Sequence, residues 1–288
     1  MEVLLPRTLD EALAIKAGRP EAVPIAGGTD LMVALNFDRA RPPALLDVSR
    51  LPELRQWRRK EGWLVLGAGV TYARIVRELP EMVPLVQAAR SVGSPQIRNR
   101  GTVGGNLGTA SPAGDALPVL AAYDAEVELA SAGGRRTVPF NEFMVGPKKT
   151  VLRPDELIVA THWRLVRGPG SFSKVGTRNA MVIAVASVCL VLDEAGHTVR
   201  VALGSVGPTI LRAPDAERFV AGALAAAGWW DDPRATLPAQ VAREFGERVA
   251  AAARPIDDVR GTAAYRRHAC GVLARRALVW ALEARRAA

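Results

Sequence analysis

The chain has 288 residues, 49% of them hydrophobic, which is enough for about two domains with a substantial core. Its formal net charge of +9 comes from basic residues spread along the chain. There is no lysine tract, aromatic RNA motif or helix-turn-helix pattern, so nucleic-acid binding is not expected. No apolar run is long enough to span a bilayer and no charged-then-apolar leader occurs, so we expect a cytoplasmic protein without a membrane span.

Cysteine and histidine are too few and too scattered to build a metal centre. Cys189 and Cys270 have no CxxC partner, and the three histidines are isolated from one another. An iron–sulfur cluster or a structural zinc therefore cannot be assembled within this chain. We expect both cysteines to be buried free thiols.

The N-terminal part alternates short apolar runs with helical patterns. Helices are predicted over residues 9–17 and from Thr29, and strands over residues 23–26 and 44–47. This rhythm indicates a small mixed α/β subdomain that ends near Leu54. A second α/β subdomain begins with a strand over residues 63–69, after which Thr71 is placed to cap a helix over residues 72–78.

The strand end Gly67-Ala68-Gly69 is similar to the start of a nicotinamide dinucleotide fingerprint. The third glycine position of that fingerprint is occupied by Tyr72, and no acidic residue is clearly placed about 20 positions later. We therefore interpret this stretch as a strand and turn rather than a nicotinamide site.

The rest of the chain follows a helix, hairpin and linker pattern. A helix is predicted over residues 85–92, a hairpin with strands 125–129 and 136–140, a strand over residues 157–165, and a linker at residues 167–170. Beyond the linker come strands 182–192 and 197–204, then helices 215–225, 237–252 and 262–287. We place the domain boundary at the linker, giving residues 1–168, with subdomains of about 1–54 and 55–168, and residues 171–288.

Two glycine pairs are the most informative motifs of the chain. Gly27-Gly28 follows an apolar stretch and precedes a helical one, which predicts a strand, a tight turn and the start of a helix. Backbone N–H groups at the start of a helix favour phosphate binding. Gly104-Gly105 lies in residues 98–115, which we interpret as a long loop whose composition excludes a core element. Either pair alone could be a simple turn. Together they suggest two walls of one diphosphate site.

The motifs AGGTDL and RNRGTVGGNLGTASPAGD, together with residues 172–174 and 262–267, carry a resemblance that covers essentially the whole chain. The sequence resembles the flavin-binding medium subunit of the xanthine dehydrogenase and carbon monoxide dehydrogenase family of molybdenum hydroxylases. The resemblance implies an α+β fold class. A two-subdomain FAD-binding domain of the p-cresol methylhydroxylase type would hold FAD between its subdomains, and a small C-terminal domain of antiparallel sheet and helices would follow.

The same resemblance implies two groups of cofactor-contacting residues. The first would wrap the diphosphate, mainly through backbone N–H groups, and consists of Ala26, Gly27, Gly28, Thr29, Asp30, Leu31 and Met32. The second would do so from the other wall and consists of Thr102, Gly104, Gly105 and Asn106. Ala68 and Thr71 border the flavin in the resembling family and are minor candidates.

Four further positions have both a cofactor interpretation and a plain structural one. Asp115 matches a carboxylate near the ribityl or ribose hydroxyls, or caps a helix over residues 116–121. Leu157 would pack on the flavin and Val92 would lie near the adenine or ring edge, and either could instead be a plain core residue. Lys174 matches a lysine near the isoalloxazine edge that would stabilise reduced flavin, or is a solvated loop lysine.

No catalytic triad and no acid–base pair for a substrate is recognisable, so we interpret the chain as an electron-transfer protein, or relay. The resemblance implies partners in a heterotrimer or its dimer: a large molybdopterin subunit and a small iron–sulfur subunit with [2Fe–2S] clusters. FAD would pass electrons to NAD, a quinone or another acceptor. A xanthine dehydrogenase-like complex is favoured, and carbon monoxide, aromatic heterocycles or aldehydes are alternative substrates.

Two other function classes remain open from the sequence. One is a free-standing flavin oxidase or reductase of the same fold, and the other is a flavin-free binding module. No histidine adjoins either glycine pair, because Thr29 and Asp30 follow the first one, so a covalent flavin link is not expected. The intact glycine motifs weigh against the flavin-free module.

Overall fold

The computed structural model describes residues 1–287 and divides the chain into two compact units. The first unit consists of Met1–Leu79, Val92–Ser111 and Asp124–Arg164. The second unit consists of Pro80–Ser91, Pro112–Tyr123 and the chain from Leu165 onward. The two units are therefore interleaved in the sequence.

The secondary structure is mixed. The described strands are β1 Glu2–Leu4, β2 Val23–Ile25, β3 Ala44–Asp47, β4 Trp57–Lys60, β5 Trp63–Gly67, β6 Glu126–Ser131, β7 Gly134–Pro139, β8 Met144–Gly146, β9 Lys149–Thr150, β10 Leu157–Arg164, β11 Gly170–Val175, β12 Ala186–Asp193, β13 Thr198–Gly204 and β14 Leu211–Arg212. The described α-helices are α1 Leu9–Gly18, α2 Leu31–Asn36, α3 Tyr72–Glu78, α4 Val83–Ser91, α5 Pro95–Arg100, α6 Val103–Thr109, α7 Leu117–Ala122, α8 Phe140–Phe143, α9 Pro214–Ala226, α10 Ala239–Ala252 and α11 Ala263–Ala287. A short 3₁₀ helix spans Pro52–Arg55.

The first unit begins with a three-stranded parallel sheet in the order β1-β3-β2. Parallel neighbours need crossover connections, which helices α1 and α2 provide here. Helix α1 is capped by Thr8, whose hydroxyl accepts the Glu11 N–H at 3.2 Å. The parallel arrangement brings the carboxyl ends of β2 and β3 together, since Ile25 lies opposite Asp47.

A five-stranded antiparallel sheet in the order β4-β5-β10-β6-β7 completes the first unit, with a small β8-β9 hairpin. One hydrophobic core cluster joins helix α1 and strand β3 to strands β6 and β10. Leu9, Leu13, Leu46, Leu54 and Leu157 all belong to that core. Burial of this apolar surface is the dominant stabilising contribution here.

The second unit contains a four-stranded antiparallel sheet in the order β11-β12-β13-β14. Its core consists of residues from strands β12 and β13 and helices α9, α10 and α11. Cys189 and Cys270 are buried free thiols of this unit, as predicted, and Cys270 belongs to this core. Burial raises the pKa of both thiols, so they behave as small hydrophobes.

Most of the predicted helices and strands are confirmed. The elements that were not predicted include strands β1, β4, β8, β9, β11 and β14 and helices α5, α6 and α8, and strand β12 begins at Ala186 rather than at residue 182. Strand β4 carries Arg58, Arg59 and Lys60, whose charge hides an edge strand from a hydrophobicity pattern. Within residues 1–287, no helix combines the length and the apolar character needed to cross a membrane.

Candidate functional site

A cavity of about 260 Å³ opens in the first unit at the carboxyl ends of β2 and β3. We call it the strand-end cavity, and it is lined by Ala26, Gly27, Asp47, Ser49, Arg50, Arg55, Gly69, Thr71, Asn99, Arg100 and Thr102. Ligands of open α/β sheets commonly bind outside the carboxyl ends of the strands. Ala26, Gly27 and Thr102 are sequence-predicted site residues that this cavity brings together.

The first glycine pair forms a loop with free backbone donors. Gly28 has a φ of +74°, a conformation that favours glycine, whereas Gly27 does not share it. Gly27 is needed for a different reason, because a Cβ at this position would collide with the Arg100 carbonyl. Within residues 1–287, the N–H groups of Gly27, Gly28, Thr29 and Asp30 donate to no protein acceptor. The loop therefore presents unpaired donors beside the strand-end cavity.

The second glycine pair does not lie in a long loop, so that prediction is wrong. Gly104 and Gly105 lie in helix α6, and neither has a positive φ. The Thr102 hydroxyl caps the helix by accepting the Gly105 N–H at 2.9 Å. Val103 and Leu107, four positions apart, are both fully buried. Capping and burial offset the cost of about 1 kcal/mol that each helical glycine imposes.

The backbone donors of the second pair are already used within the protein. The Gly104 N–H donates to the Ala68 carbonyl at 2.9 Å, and the Asn106 N–H donates to the Thr102 carbonyl at 3.0 Å. A Cβ on Gly104 would lie 2.6 Å from the Ala68 oxygen, so this glycine permits close packing of α6 on the end of β5. Gly105 is exposed, and the Asn106 Oδ1 is buried without a protein partner.

Asp115 and Lys174 form a buried ion pair within the second unit. The Lys174 ammonium donates to Asp115 Oδ2 at 2.6 Å, to the Ser91 carbonyl at 2.9 Å and to the Val182 carbonyl at 3.1 Å. The two side chains are only 8% and 11% exposed, for Asp115 and Lys174 respectively. Lys174 lies on strand β11, so the interpretation as a solvated loop lysine is wrong.

Asp115 keeps one oxygen free. The Ser91 hydroxyl donates to Asp115 Oδ2 at 3.0 Å, while Oδ1 is buried without a protein partner. Burial raises the pKa of Asp115 above its ordinary value, and the charge of Lys174 opposes that shift. Helix α7 begins at Leu117 without a side-chain cap, so the helix-cap interpretation of Asp115 is wrong. The free oxygen is a hydrogen-bond acceptor suited to a hydroxyl donor.

The remaining predicted positions lie in the first unit. Leu157 is 4% exposed and belongs to the hydrophobic core. Val92 is half-buried, and its carbonyl accepts a hydrogen bond from the Arg98 guanidinium at 3.1 Å. Leu31 and Met32 begin the short helix α2, of which no residue is buried.

Sequence reasoning missed seven residues of the strand-end cavity: Asp47, Ser49, Arg50, Arg55, Gly69, Asn99 and Arg100. A signal was available, because Asp47 ends the predicted strand at residues 44–47 and Ser49 and Arg50 come just after it. The carboxyl ends of parallel strands lie at one edge, and polar residues there are natural site candidates. Across residues 1–287, no group of three or more potential ligand side chains is placed to hold a metal ion.

Comparison with known families accounts for nearly the whole chain. Residues 1–162 match the FAD binding domain in molybdopterin dehydrogenase. Residues 171–281 match the CO dehydrogenase flavoprotein C-terminal domain. Both matches agree with the predicted fold class of a two-subdomain FAD-binding domain followed by an antiparallel sheet with helices.

Individual relatives have different substrates in their names. A putative xanthine dehydrogenase FAD-binding subunit of Escherichia coli is 34% identical over 225 residues, covering 73% of this chain and 76% of its own. The carbon monoxide dehydrogenase medium chain of Hydrogenophaga pseudoflava is 29% identical over 286 residues, covering 96% of each. Quinoline 2-oxidoreductase from Pseudomonas putida 86 has a TM-score of 0.88 at 25% identity, covering 99% of this chain and 98% of its own.

Proposed function

The chain belongs to the FAD-binding subunits of the molybdenum hydroxylases, and from that membership we propose that it is the electron-transfer subunit of such a complex. It would receive electrons from [2Fe–2S] clusters of a small partner subunit and deliver them to NAD or another acceptor. A large molybdopterin subunit would oxidise the substrate. The names of the relatives as medium chains and FAD-binding subunits support a multi-subunit assembly.

The observation that carries this proposal is the loop of unpaired N–H groups at Gly27–Asp30 beside the strand-end cavity. A diphosphate carries negative charge and needs several converging donors, which this loop offers without any backbone rearrangement. The buried acceptors Asn106 Oδ1 and Asp115 Oδ1 also lack protein partners, and FAD carries hydroxyl and amino donors. The residues present therefore fit FAD.

Each group of residues would hold a different part of the cofactor. The set Ala26–Met32 would bind the diphosphate, and helix α6 would approach it closely through Gly105, where no side chain projects. This differs from the expectation that Gly104, Gly105 and Asn106 donate their N–H groups, since those groups have protein acceptors. Asp115 would accept a hydroxyl hydrogen bond through Oδ1. Leu157, Val92 and Lys174 remain proposed contacts of the flavin.

FAD supplies the capacity to take up electrons singly and to release them in pairs. The protein would bind and orient it, and Asp115 held by Lys174 would fix its polar chain. The described cavity contains no histidine or cysteine and only one carboxylate, Asp47, which accepts the Ser49 N–H at 2.8 Å. This composition favours a relay over a free-standing oxidase that activates its own substrate.

The substrate of the complex is a separate proposal. A xanthine-type substrate is the candidate that we favour, supported by 34% identity to the Escherichia coli subunit. The carbon monoxide relative is 29% identical and the quinoline enzyme 25% identical. The chemistry on substrate would take place in the large subunit, so turnover of each substrate by the assembled complex is the deciding measurement.

The first prediction concerns the mode of attachment. We expect one FAD per chain, held without a covalent bond, because Thr29 and Asp30 follow the glycine pair and neither provides the attachment side chain that a histidine would. Acid precipitation should release the yellow cofactor into the supernatant, where absorption spectroscopy detects it. A yellow pellet under a colourless supernatant would contradict the prediction.

The second prediction separates the relay from the free-standing oxidase. The isolated chain should bind FAD yet show almost no oxidation of purines, aldehydes or carbon monoxide. Adding the iron–sulfur and molybdenum subunits should restore turnover and reduction of the bound FAD. Turnover of an organic substrate by the isolated chain at roughly 1 to 10³ s⁻¹, the usual range for enzymes, would show that the relay assignment is wrong.

A further inference from the structure

Three arginines line the strand-end cavity beside the first glycine pair. Arg50 follows strand β3, Arg55 ends the 3₁₀ helix, and Arg100 ends helix α5. In the described part of the chain, none of the three guanidinium groups has a hydrogen bond or an ion pair to a protein acceptor. Most other arginines of the first unit are paired, as Arg74 is with Glu78 at 2.7 Å.

Backbone contacts hold two of these arginines, Arg100 and Arg55, at the strand-end cavity. Arg100 is held beside the glycine loop, because its carbonyl occupies the space that a side chain on Gly27 would need. The Arg55 carbonyl accepts a hydrogen bond from the Arg74 guanidinium. These backbone contacts hold the two arginines while leaving their guanidinium groups free.

The cavity has an excess of positive charge. Asp47 is its only acidic lining residue among the described ones, and one of its oxygens already accepts the Ser49 N–H. Like charges placed around one cavity repel each other unless an anion lies between them. Guanidinium groups match phosphate oxygens in geometry and bind them through paired hydrogen bonds.

Size restricts what the anion can be part of. A volume of about 260 Å³ is below the range of roughly 300 to 1,000 Å³ typical of pockets that enclose a whole small molecule. The cavity therefore suits one charged portion of a larger ligand. Because three arginines line the cavity, that portion is the phosphate-bearing part.

We propose that Arg50, Arg55 and Arg100 bind the diphosphate of the flavin dinucleotide together with the Gly27–Asp30 donors. This inference rests on the proposed function, because it takes FAD as the ligand. The arginines neutralise the two phosphate charges, while the loop N–H groups fix the position of the oxygens. ADP, which carries the same diphosphate and adenosine, uses the same residues.

The test measures binding of FAD and of ADP to the full-length apo chain. We expect Arg50→Ala, Arg55→Ala and Arg100→Ala each to raise both dissociation constants about tenfold, the effect of losing one hydrogen-bonded charge contact. Arg58→Ala is the matched control, since Arg58 is an exposed arginine of the same unit that does not line the cavity. Thermal melting of the apo proteins verifies folding, and Arg→Gln variants replace any that unfold.

The outcomes separate this inference from the proposed function. If the unaltered chain binds FAD and all three variants bind FAD and ADP within twofold of it, the inference is overturned and the proposed function stands. If the unaltered chain binds no FAD, the proposed function fails, and ADP binding then tests the arginine site by itself. ADP binding that the three variants lose supports a diphosphate site at the arginines. If the unaltered chain does not bind ADP either, the inference is overturned.

Discussion

Gly105→Val should remove FAD from the protein while leaving its fold intact. Gly105 is exposed, has no positive φ, and lies in helix α6, where a Cβ would meet only the Thr102 hydroxyl at 3.1 Å. A branched side chain there would occupy the space through which the cofactor approaches the helix. Forced overpacking costs about 1 to 3 kcal/mol, so we expect affinity to fall roughly 5- to 150-fold.

Gly108→Val provides the matched control for this substitution. Gly108 is also exposed in helix α6, and a Cβ there would make an ordinary contact with Ile158 at 3.8 Å. The two variants should melt at similar temperatures as apo proteins, and only the Gly105 variant should lose flavin absorbance. Equal FAD occupancy in both variants would exclude helix α6 as a wall of the site.

Gly28→Val should also weaken FAD binding, but strain contributes there. The positive φ of Gly28 penalises a branched residue, and a Cβ would lie 3.3 Å from the Met32 side chain. Gly62 has a φ of +79° with nothing near its missing side chain. Comparison with Gly62→Val therefore separates the effect of backbone strain from the effect on the cofactor.

Lys174→Ala should destabilise the protein by about 3 to 5 kcal/mol at pH 7, the usual cost of leaving one partner of a buried ion pair uncompensated. Asp115 would then be a buried carboxylate whose remaining protein donor is the Ser91 hydroxyl. Chemical denaturation at several pH values would measure the loss. A change in flavin potential, expected if Lys174 also acts on the isoalloxazine, is a separate readout.

The pH dependence has a definite sign. Burial already raises the pKa of Asp115 in the folded protein, so the folded state holds its proton more tightly than the unfolded state. This difference stabilises the folded protein at pH values below the pKa of Asp115 in the unfolded chain. The contribution is lost as the pH rises through the pKa of Asp115 in the folded protein. Without Lys174 the pKa of Asp115 in the folded protein rises further. The loss in the free energy of unfolding of the Lys174→Ala variant should therefore grow from acid to neutral pH.

Two results would distinguish this ion pair from ordinary packing. Adding Asp115→Asn to the Lys174→Ala variant should restore part of the stability, because the amide carries no charge to leave unpaired. A deficit of the same size at pH 5 and at pH 7 would instead attribute the loss to the lysine side-chain packing, and the charge interpretation would be wrong.

Interactions between residues close in the sequence allowed a large part of the fold to be predicted. The helix over Tyr72–Glu78 and its Thr71 cap depend on a hydrogen bond spanning three residues, at 3.4 Å. The hairpin of strands β6 and β7 depends on a turn between adjacent segments. Such features are set by residues close in sequence, so composition and spacing predict them. The family motifs were readable for the same reason.

Long-range packing decided what the sequence left open. Helix α6 forms despite two adjacent glycines, because Val103 and Leu107 are buried in the folded chain. Lys174 and Asp115, 59 positions apart, are paired because strand β11 and the segment before α7 meet in one unit. Burial and pairing between distant segments have no local signal.

By itself, then, the sequence determined the family, the two glycine segments and most helices and strands, since these depend on short-range patterns of residue type. Only the tertiary structure decided the interleaving of the two units, which glycine N–H groups stay free, and which charges meet. No sequence pattern assigned a role to the side chains of Arg50, Arg55 and Arg100. They become a candidate anion site because folding places them around one cavity while leaving their guanidinium groups unpaired.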